Sequence, residues 1–291
     1  MSVNENILEV HRHTATVEGW LSEKEGPYLY SLAQLASKLG CIVEIGSWKG
    51  KSTIWLAKGS QAIGGEKVYA VDPHTPDGSS ERDFRENIKK AGVESIVVPM
   101  VMASIEVLQG WDKPIGLLWV DGDHKYRGVQ SDFFGWYPHV VPGGVIALHD
   151  TLNRRGVRKF VQRHIRRLAR QHRVDVLGQV DEILAVKKVQ PLSGYSRAKR
   201  SLIVGREYLF HRGHSRARYF TNLGKHYLRS GDYQKARQCF RLAFSYQPLN
   251  WKNLRRWGLS YLPGLLNLYV HGHKGKGPNN RTHSNFRGPA Q

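Results

Sequence analysis

The sequence predicts an α/β fold: a doubly wound, mostly parallel sheet followed by a small C-terminal helical module. Three observations carry that prediction. Short Val- and Ile-rich runs alternate with stretches of helical period, most of those runs end in polar or Gly-bearing residues, and acidic residues nearly vanish after residue 188. With 40% hydrophobic and 23% charged residues over 291 positions, the chain is able to bury a sizeable core and does not read as fibrous or disordered. Length sets a prior of about two domains.

The apolar runs are 41–45 (CIVEI), 67–72 (KVYAVD), 96–100 (IVVPM), 115–121 (IGLLWVD) and 144–150 (GVIALHD). Each is too short for a helix and nearly continuous in apolar residues, as strands covered on both faces are. Helices are expected at 50–58 and at 84–91, the latter preceded by Ser80 and Asp83 at capping-box spacing. A further helix at 128–137 leads into a Pro142-Gly143-Gly144 turn. Residues 154–170 form a helix with an apolar stripe at Val157, Phe160, Val161, Ile165 and Leu168, and its other face is mostly arginine. The runs VDVLGQV and EILAVKKV then lie close enough together for an antiparallel hairpin at the sheet edge.

Charge divides the chain. Residues 1–153 hold 14 basic and 19 acidic side chains, a net of −5, whereas 30 basic and 5 acidic side chains follow, a net of +25. Such asymmetry points to an anionic partner: a membrane surface, RNA or a phosphorylated carrier. No run approaches the roughly 18 apolar residues of a membrane-spanning helix, and the N-terminus lacks the basic start and apolar core of a secretory leader. The expectation is a cytoplasmic protein, with attachment to the inner face of a membrane as an option. Cys41 and Cys239 fall in separate modules, which excludes a disulfide framework and a four-cysteine zinc site.

In an open α/β sheet ligands bind beyond the carboxyl ends of the strands, so function is sought there. The first strand ends Glu44-Ile45-Gly46-Ser47-Trp48-Lys49-Gly50-Lys51-Ser52, a turn whose glycines allow close backbone approach. The second ends at Asp72, a carboxylate placed to accept hydrogen bonds from ribose hydroxyls. Gly50-Lys51-Ser52 invites a phosphate-loop reading. That motif needs four residues between its glycines, and Gly46 and Gly50 are separated by three.

These residues resemble the S-adenosylmethionine-dependent methyltransferases with a Rossmann-like, seven-stranded sheet, and within them the group related to metal-dependent sugar and catechol O-methyltransferases. The resemblance covers about residues 32–188. It implies that the first loop (Glu44, Gly46, Gly50 and Ser52, with Ser47 and Trp48 between them) holds the methionine part of S-adenosylmethionine. It also implies that Asp72 binds the ribose and that the Met102-Ala103-Ser104 turn lies beside the adenine. Trp48-Lys49 is bulkier than the family's usual loop.

The fourth and fifth strand ends, Asp121-Gly122-Asp123-His124 and His149-Asp150, bring metal-capable groups to one rim. Adjacent strand tips lie about 5 Å apart, so Asp121 and Asp150 are able to share a divalent cation, magnesium or manganese, with Asp121 also bordering the cofactor. In the resembling family, acids at these positions bind magnesium, which orients two substrate oxygens, and a nearby base takes the hydroxyl proton. Asp123 and His124 are the candidate bases, Asp123 preferred. His149 stands where the sugar-methylating relatives commonly have a second carboxylate. It is a ligand better suited to manganese, iron or zinc, or a residue that contacts substrate or braces the ligands.

Residues 191–291 hold 19 basic and 2 acidic residues. Phe220-x-x-Leu223-Gly224-x-x-Tyr227, Ala236-x-x-x-Phe240, Ala243 and Pro248 reproduce the tetratricopeptide pattern once, with the turn at Ser230-Gly231-Asp232. One repeat does not bury its own apolar face, so helices at 198–208 and 251–270, interrupted at Pro263, are expected to flank it. Residues 271–291 read as a disordered basic tail. The expected division is therefore 1–190, 191–270 and 271–291.

The function expected is methyl transfer from S-adenosylmethionine to a hydroxyl of a sugar, glycan or other small hydroxylated molecule, with divalent-metal help. RNA methylation through the basic half, a metal-dependent oxygenase and a nucleotide-binding protein are the alternatives.

Overall fold

The computed structural model describes residues 3–191 apart from Pro76, then residues 203, 217, 221, 225 and 233–246. The chain divides into two compact units, Met1–Tyr208 and Leu209–Gln291. The expected helices at 198–208 and 251–270, the Ser230-Gly231-Asp232 turn, most of the repeat's signature residues and the 271–291 tail lie outside the described residues. Within the second unit, the helix Tyr233–Tyr246 buries Ala236, Phe240 and Ala243, the repeat's apolar positions.

The first unit is a seven-stranded sheet in the order β3-β2-β1-β4-β5-β7-β6. Its elements are α1 (Val3–Ala15), α2 (Glu25–Ala36), β1 (Cys41–Ile45), α3 (Lys51–Gln61), β2 (Val68–Val71), α4 (Ser79–Lys90), β3 (Val97–Met100), α5 (Ser104–Val107), β4 (Ile115–Val120), α6 (Tyr126–Trp136), β5 (Val140–Leu148), α7 (Arg155–Phe160), α8 (Arg166–Arg170), β6 (Val174–Val180) and β7 (Ile183–Lys188). Strands β1 to β5 pair in parallel, and β7 joins β5 and β6 antiparallel, the expected edge hairpin. Chain order reverses between β1 and β4, which opens a crevice at their carboxyl tips.

Alternation along the strands feeds two cores. Ile42, Leu117, Trp119, Val145 and Ala147 face one side, under α2 and α3. Val43, Ile45, Leu118, Val120, Ile146 and Leu148 face the other, under α6 and α7. Both faces are apolar because both are covered.

Three local expectations are corrected. Pro142-Gly143-Gly144 is no separating turn but a kink inside β5, exposed at Pro142 and Gly143, where the register against β4 jumps between Ile115 and Leu117. Ser80 does not cap α4, because the helix starts at Ser79 after Gly78, and the Ser80 hydroxyl instead accepts the Thr75 N–H at 2.9 Å. The 154–170 helix is broken by a π turn over Val161–Ile165 between α7 and α8.

Close backbone approach limits what the sheet tolerates. A Cβ on Gly116 of β4 would stand 2.0 Å from the Ala36 carbonyl oxygen at the end of α2, and Gly110 has open space. Gly116→Ala is expected to lose about 1–3 kcal/mol of stability in urea unfolding, with Gly110→Ala within about 0.5 kcal/mol of the parent.

Candidate active site

Most residues of the site sit at or just beyond a strand tip. Gly46 leaves β1 at φ +89°, and a Cβ there would meet the Asp121 carbonyl oxygen at 2.3 Å, so glycine is required both for its backbone angle and for the space. The next residues fold back: Gly50 N–H donates to the Ser47 carbonyl at 2.7 Å, and Trp48 takes a left-handed φ of +41°. Asp72 holds this turn from the neighbouring strand. Its Oδ2 accepts the Trp48 N–H at 2.8 Å and its Oδ1 accepts the His74 N–H at 2.6 Å, and the side chain stays 15% exposed. Ser47 Oγ is buried without a hydrogen-bond partner among the described residues.

Glu44 does not face the crevice. It is fully buried and accepts hydrogen bonds from Ser52 Oγ and Thr53 Oγ1, each at 2.5 Å. Through these bonds it ties the first turn of α3 to β1 from beneath the loop. Burial raises its carboxyl pKa to about 8 despite those two donors.

At the third tip, Ala103 is buried and precedes α5, while Ser104 Oγ donates to Asp132 Oδ1. Ser104 is thus committed to α6.

The fourth and fifth tips form a chain of alternating charge. Glu25, buried in α2, stands 3.4 Å from His149 Nε2, an ion-pair distance without hydrogen-bond geometry. His149 Nδ1 meets Asp121 Oδ1 at 3.1 Å. Asp121 Oδ1 lies 3.7 Å from His124 Nε2, and that nitrogen meets Asp150 Oδ2 at 2.8 Å. Arg154 adds its Nε at 3.6 Å from Asp150. Asp150 reaches this position through a left-handed φ of +56°, uncommon for a non-glycine residue and characteristic of functional turns. Asp121 and Asp150 hold the His124 pKa up at about 9. Burial works against the charge on His149, but Asp121 and Glu25 outweigh it and raise the pKa to about 10.

Two expected site residues stand apart from the closest cluster. Ligand atoms of Asp121, His124 and Asp150 all lie within 4.8 Å of one another, the group among the described residues with metal-binding spacing. His149 lies outside that group, its ring held between Glu25 and Asp121 and packed against Trp119 with centroids 5.4 Å apart. Asp123, the preferred base, is exposed, and its Oδ1 accepts the Lys125 N–H at 3.0 Å before α6. That hydrogen bond closes the turn before α6, and the side chain that lies between the Asp121 and Asp150 carboxylates is His124.

Sequence reasoning missed the strap from Val17 to Ser22. Trp20 is 77% exposed and stacks on Trp48 with centroids 4.6 Å apart. Ser22 N–H donates to Glu25 Oε2 at 2.8 Å, and its hydroxyl donates to Asp181 Oδ2 at 2.6 Å. No motif marks these residues; tertiary structure alone brings them to the rim.

Residues 43–151 match a family profile described as a methyltransferase domain, and residues 217–250 match that of a tetratricopeptide repeat. A 114-residue stretch is 27% identical to the uncharacterized protein R132 of Acanthamoeba polyphaga mimivirus, covering 37% of this chain and 50% of that protein. The chain thus spans about half the length of the curated relative it matches. The fold is similar to that of cofactor-bound Rv0187 from MTB, at 20% identity over 65% of this chain and 91% of that one, with a TM-score of 0.50. It is also similar to an O-methyltransferase from Bacillus cereus in complex with SAH, at 22% identity over 65% and 93% of the two chains, with a TM-score of 0.48.

Glu44 binds its proton more tightly in the fold than in the unfolded chain, where the ordinary value is 4.5. Unfolding between pH 4.5 and about 8 therefore releases that proton, and this contribution to stability falls as pH rises through the window. Glu44→Gln keeps the shape and removes the charge. Urea unfolding at a series of pH values is expected to show a flatter decline in the variant, by up to about 1.4 kcal/mol per pH unit.

Proposed function

We propose, from the premise that residues 43–151 form a methyltransferase domain, that this protein moves the methyl group of S-adenosylmethionine to a hydroxyl oxygen. In this reading the acceptor is a sugar or glycan and a divalent ion assists. The observation that carries the reading is the meeting on one rim of a glycine turn tied to Asp72 and the Asp121–His124–Asp150 group.

The residues fit the cofactor. Each oxygen of Asp72 has a second lone pair beyond the backbone N–H it already accepts, which suits paired ribose hydroxyls. Ser47 Oγ, buried and without a partner among the described residues, is a polar atom that a ligand in the turn would satisfy. Gly46 leaves the turn without the side chain that would crowd the β4 tip. The residues also fit a divalent ion, since Asp121 and Asp150 offer two carboxylates close enough to share it, hard oxygen donors of the kind magnesium and manganese take, and His124 beside them is left unligated.

When bound, the sulfonium supplies an electrophilic methyl group and the ion lowers the pKa of an acceptor hydroxyl. The protein's own part is positioning and proton handling. Asp121 is aimed by the buried Glu25–His149 pair. His124, flanked by the carboxylates, is the group placed to take the hydroxyl proton. It must shed its own proton first, and the two carboxylates that retain that proton are the ones a divalent ion would claim. The sugar assignment is supported by Trp20, whose stacked and exposed indole offers an apolar face of the kind that packs on the C–H face of a pyranose ring.

Calorimetry with S-adenosylhomocysteine tests the reading. Asp72→Ala is expected to weaken binding by about tenfold or more, an amount equivalent to about 1.4 kcal/mol. Asp121→Ala is expected to keep that affinity and abolish manganese binding; an unchanged affinity in Asp72→Ala would overturn the ribose site. With glycosides as acceptors, Trp20→Ala is expected to raise KM by about tenfold, as lost uniform binding does, with little change in kcat. If catechols turn over and glycosides do not, the sugar assignment fails.

A further inference from the structure

The helical segment after β5 carries more positive charge than the site uses. Residues 151–173 contain nine Lys and Arg side chains and no Asp or Glu. Arg155, Arg158, Arg163, Arg166, Arg167 and Arg170 are exposed, whereas Val157, Phe160, Ile165 and Leu168 are buried in the core. Among the described residues this segment forms an ion pair between Arg154 and Asp150, and Lys159 lies over the Tyr126 ring; Arg158 and Arg170 donate to backbone carbonyls of their own segment. Like charges this close repel, and among the described residues Asp150 is the carboxylate paired with them.

Exposed aliphatic side chains flank this face. Leu152, 50% exposed, precedes the helix, and its carbonyl accepts a hydrogen bond from Arg158 at 3.0 Å. Val176 and Leu177 of edge strand β6 are 56% and 40% exposed. Val176 pairs across the ladder with Val186, which is buried in the core beneath α7 and α8. Its side chain therefore lies on the same face of the sheet as the arginines.

We infer that this face docks the protein on an anionic lipid bilayer. Arginine-rich surfaces are attracted to anionic headgroups, and neighbouring aliphatic side chains suit the headgroup boundary. A nucleic acid fits less well. Single-stranded partners favour exposed aromatic platforms, and the strongly exposed indole among the described residues, Trp20, stacks on Trp48 in a different loop. The apolar stripe of α7 and α8 is already spent on the core, so the face docks without insertion, reversibly and with strong salt dependence. Arg154 connects this face to Asp150, so a docked membrane would adjoin the proposed acceptor site.

The test is co-sedimentation of the full chain with phosphatidylcholine vesicles, with and without phosphatidylglycerol, at low and high salt. Binding is expected only with the anionic lipid and at low salt. The combined variant Arg155→Gln, Arg163→Gln, Arg166→Gln and Arg167→Gln is expected to lose about tenfold or more in vesicle affinity. Removing the same charge by Lys274→Gln, Lys276→Gln, Arg281→Gln and Arg287→Gln is expected to cost less than about threefold. Equal losses would reduce the effect to net charge and overturn the inference. So would a greater loss of single-stranded RNA binding than of vesicle binding in the first variant. Hydrogen exchange on the parent protein covers the case in which that variant misfolds. Vesicles are expected to slow exchange over residues 152–177, and no change there overturns the inference. None of these readouts requires turnover, so they stand or fall separately from methyl transfer.

Discussion

The whole site depends on the parallel ladder running one residue past the ends of its strands. Asp121 N–H donates to the Ile45 carbonyl at 2.8 Å, His149 N–H to Val120 at 3.1 Å, Gly46 N–H to Val71 at 2.9 Å and Asp72 N–H to Met100 at 3.2 Å. Each of these bonds fixes the first loop residue beyond one strand against the last residue of its neighbour. A loop residue held in this way has lost most of its backbone freedom, which is the largest cost of building a precise site. Functional groups on four separate stretches of chain thus inherit the rigidity of the sheet.

That rigidity permits an arrangement that would otherwise be costly. Glu25 and His149 are 2% and 6% exposed, and burying charges is unfavourable unless each finds a partner. Along Glu25, His149, Asp121, His124 and Asp150 the signs alternate, so every charge has an opposite neighbour. Glu25 is further satisfied by the Ser22 and Glu182 N–H groups at 2.8 and 2.9 Å, and these together keep its carboxyl ionised despite burial. The N-terminal strap is therefore part of the electrostatics of the rim, because it supplies donors to the carboxylate that anchors His149.

The strands, the glycine turn and the acids at the tips were legible because each is written in local pattern: period, length and the polar residue that ends an apolar run. Side-chain direction at the tips was not. Val145 and Ala147 face the α2 side, so His149 continues that alternation toward Glu25. Reading this required knowing that α2 covers that face, and no motif announces α2. Asp150 then leaves the alternation through its positive φ, which is how it comes to meet His124 in place of its chain neighbour. Ser80 and Asp83 show the same limit: capping-box spacing was present, but the chain turned earlier, and Ser80 was taken by Thr75 while Asp83 paired with Lys49 at 3.0 Å.

The residue that follows the rim explains why the two halves of the charge distribution meet where they do. Asp150 is the last acid before a stretch of uninterrupted positive charge, and Arg154, one helical turn later, is the first residue of that stretch and a partner of Asp150. A guanidinium this close lowers the potential cost of gathering carboxylates at the tips of β4 and β5. The positive charge that begins at Arg154 then runs along the α7 and α8 face. Fields of this kind act over about a Debye length of 8–10 Å at physiological salt, so charges on that face act on anions within this range of the surface.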